Sequence, residues 1–162
     1  MRCSFVILFL IWFGGFCYSQ SPLLKIVLEK NQVNKVFTFD SSNKKDGLYK
    51  IYITYLGKTH TSHKELKIIT ASTEWGPNHH TSGVIYLYDK SNSYFGEYSL
   101  GSAADLPQKF ENNELIFNNR RKKDCDSSLT TTIDFSKEIP KEMFIKCKDK
   151  YGDIYSFKGS KN

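Results

Sequence analysis

Past residue 20 the chain is built from short runs of β-branched and aromatic residues, each broken off by a cluster of Asn, Asp, Ser, Gly or Lys. That punctuation predicts strands joined by turns. Leu24–Glu29 and Val33–Phe39 read as a first pair of strands, with Lys30, Asn31 and Gln32 between them. In Leu48–Leu56 the polarity alternates: Tyr49, Ile51, Ile53 and Tyr55 share one side, and Lys50, Tyr52 and Thr54 the other. His63–Ser72 is the next strand, and Val84–Tyr88 and Tyr94–Leu100 form a hairpin across Asp89–Ser93. Glu114–Phe117 is a short strand. Leu129–Phe135 alternates most cleanly, with Leu129, Thr131, Ile133 and Phe135 on one face. Met143–Lys148 and Asp153–Phe157 predict a terminal hairpin, with Gly152 placed for a left-handed turn conformation, as Gly47 is for the turn at 41–47.

Helical periodicity is sustained almost nowhere, and no connection is long enough for the helical crossovers of a parallel sheet. The expected fold is all-β: an antiparallel sandwich or barrel of about eight to nine strands in one domain spanning 20–162. At most one short helical turn is expected, within Ser102–Phe110 and beside Pro107. Val84–Tyr88 carries bulky side chains toward both faces, so either both faces of that sheet are covered or one lines a cavity.

The first 19 residues break this pattern. Arg2 precedes an unbroken apolar stretch, Phe5–Phe16, and small side chains at Cys17 and Ser19 follow. Charged, apolar and small-residue regions in that order predict a secretory signal peptide over 1–19, and hence a secreted or periplasmic protein. The apolar core is too short to span a bilayer, which takes about 20 residues, so no transmembrane segment is expected after cleavage. Cys3 and Cys17 would leave with the signal. Cys125 and Cys147 remain, and in an oxidising compartment the expected state of such a pair is a disulfide.

Basic residues outnumber acidic ones by 23 to 17, for a net charge of +6. Part of that excess is a compact run, Arg120, Arg121, Lys122 and Lys123, whose field is partly cancelled by Asp124 and Asp126. It is a weak candidate for anionic polysaccharide or lipid headgroups. Nucleic acid is not an expected partner, since no aromatic platform is interleaved with the charges.

Four histidines, His60, His63, His79 and His80, fall in one window and are the candidate ligands of a zinc or copper site. An extended strand between the two pairs would hold them at opposite ends, and neighbouring side chains in extended chain point opposite ways. The segment Trp75–Gly83 places a tryptophan beside Asn78, His79 and His80, a composition suited to stacking on a sugar or anchoring a protein contact. No nucleophile elbow, metalloprotease helix, dinucleotide fingerprint or phosphate loop is present, and nothing calls for a cofactor. The reading that follows is a non-enzymatic, exported binding module that presents Trp75, Asn78, His79 and His80 to a glycan or protein surface. The alternatives are a small metal-dependent enzyme using a histidine pair, and a barrel that carries a lipid or other small ligand.

Overall fold

The computed structural model describes residues 21–120 and 122–160. Its first element departs from expectation: Leu24–Glu29 is not a strand but the body of helix α1, Pro22–Lys30. Pro22 occupies the first turn, where a missing N–H breaks no helical hydrogen bond. Leu24, Val27 and Leu28 fall on one stripe and are buried, Lys25 and Glu29 face water, and Asn31 ends the helix in the left-handed region at φ 50°. A second helical piece, a 3₁₀ turn at Ala103–Asp105, lies where a short helical turn was expected.

The rest is antiparallel β structure, as the punctuation predicts. Among the described residues ten strands follow in order: β1 Val36–Asp40, β2 Tyr49–His60, β3 Glu65–Trp75, β4 His80–Asp89, β5 Tyr94–Leu100, β6 Lys109–Glu111, β7 Glu114–Asn118, β8 Thr130–Asp134, β9 Glu142–Lys148 and β10 Tyr151–Gly159. Seven form one sheet in the order β1-β2-β3-β4-β5-β10-β9, and β6-β7-β8 form a second, smaller one. The two face each other as a sandwich. Leu115 and Phe117 of the small sheet, with Phe135 just beyond β8, meet Leu56, Ile68, Ile85, Leu87, Tyr98, Met143 and Ile145 of the large one in a shared core. Strand β6 was not foreseen. It pairs with β7 through a two-residue turn in which Asn112 and Asn113 both take positive φ, 51° and 63°, a signature of the tight hairpin turn.

The large sheet has a second buried face. Helix α1 lies over Ile53, Tyr55, Ile69, Ala71 and Tyr88, with Phe37, Phe39 and Ile51 at the margin. This accounts for the bulky residues on both sides of Val84–Tyr88: Ile85 and Leu87 enter the inter-sheet core, while Tyr86 and Tyr88 pack on the helix side. Leu56 faces the inter-sheet core as simple alternation requires, and a bulge between Tyr55 and Gly57 then resets β2, so that Gly57, paired with Ile68, falls on that same side.

Cys125 and Cys147 are bonded, which staples the 119–128 loop to the penultimate strand, β9. Asn119, only 2% exposed, reinforces the staple: its amide donates to the carbonyls of Asp126, Lys146 and Cys147 at 3.1, 3.0 and 3.0 Å. The terminal hairpin forms as expected, but its left-handed residue is Asp149 at φ 50° rather than Gly152. Gly152 sits at a bulge in β10, and a Cβ there would be driven into the Ile145 carbonyl and the Phe144 ring. The glycine serves close approach, not turn geometry. The predicted signal peptide, 1–19, lies outside the described residues. Among the described ones, no helix is long and apolar enough to cross a membrane.

Candidate functional site: an aromatic row at the open end of the large sheet

β3 ends at Trp75, and the ladder sets a ring directly beside it on each neighbouring strand: Tyr49 on β2 and His80 on β4. Directly opposed residues in a sheet project to the same face. The row therefore lies on the side that α1 covers farther along, beyond the cluster that packs under the helix. Trp75 is 38% exposed and Tyr49 43% exposed. The Trp75 and His80 rings stand 6.1 Å apart between centroids, tilted by 35°. The β3–β4 turn that fixes this spacing needs two left-handed residues, Gly76 at φ 72° and His79 at φ 52°, and is closed by the His79 N–H donating to the Gly76 carbonyl at 3.2 Å. The Gly76 N–H in turn donates to the Leu48 carbonyl at 3.1 Å, tying the turn to β2.

Beside the row is an open depression of about 490 Å³, lined by Asn43, Asp46, Leu48, Tyr49, Trp75 and Gly76 among others. Its polar wall is a preformed loop. The Asn43 side-chain oxygen, Oδ1, accepts the N–H groups of Lys45 and Asp46 at 2.9 and 2.8 Å, and its Nδ2 donates to the Asp46 carboxylate at 3.0 Å. Gly47 completes that loop at φ 80°, the conformation its sequence context predicts. An aromatic floor with an amide and a carboxylate at its rim offers apolar stacking and directional hydrogen bonds together.

The opposite face of the same sheet end is polar. The Glu74 carboxylate meets His79 Nδ1 at 2.7 Å and accepts from the Tyr52 hydroxyl at 2.9 Å. These bonds, His79 first, hold the Glu74 carboxyl below the usual range and push the Tyr52 phenol up. Two residues from Tyr52 on β2, Lys50 pairs with Asp40 of β1 at 3.1 Å. The Asp40 carboxyl is held down to about 2, first by hydrogen bonds from Ser42 and then by Lys50.

The structure separates the predicted site residues into distinct places. Trp75 and His80 stay together on the aromatic face, His79 turns away to Glu74, and Asn78 is exposed at the turn. His60 and His63 lie at the other end of β3, where His60 Nε2 meets Glu65 at 3.1 Å and His63 is exposed in the β2–β3 turn. Among the described residues, no three His, Cys, Asp or Glu side chains converge to hold a metal ion. In the basic run, Lys122 is not free to meet a ligand, since its ammonium binds Asp105 at 2.6 Å and Asp153 at 3.3 Å and so ties the loop to the 3₁₀ turn and β10. Arg120 and Lys123 are exposed, and Arg121 lies outside the described residues. Sequence reasoning missed Tyr49, Leu48, Asn43 and Asp46 as site residues. Tyr49 reads as a strand position, and only the β2–β3 register places it against Trp75. Comparison of the chain with protein-family models, curated proteins and solved structures gives no match.

Proposed function

We propose that the chain is an exported, non-enzymatic binding module whose ligand is a glycan lying across Tyr49, Trp75 and His80. The observation that carries the reading is the three-ring row, partly exposed on its sheet face and bordered by the hydrogen-bonded Asn43–Asp46 loop. A pyranose ring offers one face of C–H groups, which stacks on flat aromatic surface, and a rim of hydroxyls, which an amide and a carboxylate can bind. The rings are already set by the ladder, so binding has little side-chain ordering to offset.

Trp75→Ala is expected to abolish glycan binding while lowering stability by less than about 1 kcal/mol, the usual scale for a change at an exposed position. Calorimetric titration of both proteins with a panel of oligosaccharides, together with thermal unfolding of each, tests this. Retained binding, or unfolding many degrees lower, would make Trp75 a structural residue. Capture of a protein instead of a sugar would redirect the reading to a protein contact. The Cys125–Cys147 bridge supports an oxidising compartment and, with it, residues 1–19 as an export signal. Material recovered outside the cell should therefore begin at or near Gln20 on N-terminal sequencing; a start at Met1 would exclude cleavage.

A further inference from the structure

We infer that a second copy of this chain pairs with the free edge of β1, joining two large sheets into one across a two-fold axis at Thr38. β1 is the terminal strand of the seven-stranded sheet, with no strand on its outer side among the described residues. Its hydrogen-bonding phase is set by the Ser41 N–H, which donates to the Tyr49 carbonyl at 3.0 Å. Counting back in alternate residues, Phe39 and Phe37 also bond to β2, so the N–H and C=O groups of Val36, Thr38 and Asp40 point outward.

Exposed sheet edges are ordinarily guarded by lysine, proline, a bulge or a covering loop. The other end of this sheet is guarded in that way: Asn119 and the Asp126 N–H occupy the carbonyls of β9, and the Lys146 N–H donates to the Thr131 hydroxyl. Among the described residues β1 contains no lysine, proline or bulge, and its one charge, Asp40, sits at its end. Its sequence, Val-Phe-Thr-Phe-Asp, favours strand, and Val36 is 56% exposed.

The occupant that fits is the same strand in antiparallel register. With Thr38 opposite Thr38 of the second copy, Val36 meets Asp40, and all three outward-facing residues fall at hydrogen-bonded positions at once. Phe37 then opposes Phe39 twice, at the closely spaced positions where aromatic pairs gain most. A shift of two residues either way loses part of this pairing. The axis runs perpendicular to the sheet and keeps both aromatic rows on one face, roughly 30 Å apart by strand spacing and rise per residue, which would make the dimer bivalent. The pairing itself does not depend on glycan binding.

Sedimentation of the purified, disulfide-bonded protein from low micromolar to several hundred micromolar concentration tests the inference. Wild type should shift from monomer to dimer. Thr38→Lys and Thr38→Asp should each weaken association at least about tenfold, because like charges would face each other at the axis, and an equal mixture of the two should restore it. Thr38→Pro provides a second probe, since it removes the N–H at the axis without touching a bond to β2. A wild type that stays monomeric throughout overturns the proposal. So does a natively folded Thr38→Lys or Thr38→Pro protein that still dimerises, or a charge-swapped mixture that stays monomeric.

Discussion

Phe135→Ala is expected to destabilise the protein by about 4 kcal/mol, the range found when a fully buried phenylalanine is truncated in a core that cannot close around the gap. Phe135 is 0% exposed and follows directly on β8, the last strand of the small sheet. Its ring stacks on that of Tyr98 in the large sheet, with centroids 6.4 Å apart and planes 26° apart. Tyr98 is itself held, donating its hydroxyl to the Pro140 carbonyl at 2.5 Å, and the Phe135 N–H donates to the Asn113 carbonyl at 2.8 Å. With both partners anchored, the cavity would persist. Phe135→Leu keeps most of the volume and should lose about a third as much. Urea unfolding of the three proteins measures this, with an unchanged slope indicating that the native state is otherwise the same. A loss below about 1 kcal/mol for the alanine variant would mean that the sheets do not meet through this ring.

Removing the Cys125–Cys147 bridge should cost about 3 kcal/mol, because the cross-link closes a loop across a sequence separation of 22 and so restricts the unfolded chain. The native loop is expected to stay in place in the reduced protein. Asn119 still donates to three carbonyls and Lys122 still binds Asp105, so the loss should appear in the unfolding midpoint rather than in the native spectrum. A Cys125→Ser/Cys147→Ser double variant measured beside the oxidised parent provides the comparison. Thiol titration of the unfolded, unreduced parent should find neither cysteine free. Equal midpoints, or a reactive thiol in the parent, would show that the bridge is absent or irrelevant to stability.

Much of the architecture is legible in the residue pattern because a strand's burial repeats every two positions and its turns have their own chemistry. The hairpin of Val84–Tyr88 with Tyr94–Leu100, the alternation of Leu129–Phe135, the positive φ at Gly47 and the pairing of the two cysteines all follow from such local signals. The failures have equally local causes. Leu24–Glu29 is too short for its period to be decided by inspection, and it became helical because Leu24, Val27 and Leu28 form a stripe that one face of the large sheet buries. β6 escaped because three residues show no alternation, although the Asn112-Asn113 pair that turns it back onto β7 is itself a hairpin signal. The Gly152 assignment mistook a glycine needed for close packing for one needed in a turn.

By itself the sequence determined the antiparallel β character, two of the hairpins and which cysteines meet, since each depends on composition, spacing or elimination within a short stretch. The tertiary structure alone decided which side chains share a place. Trp75 and His80 flank one short turn and group together in the sequence, but Tyr49 comes from a strand far earlier in the chain, and a slip of one residue in either ladder would send one of those rings to the opposite face. Register is a property of the whole packed sheet, set by burying Ile53, Ile69 and Ala71 under a helix that the strand pattern did not reveal.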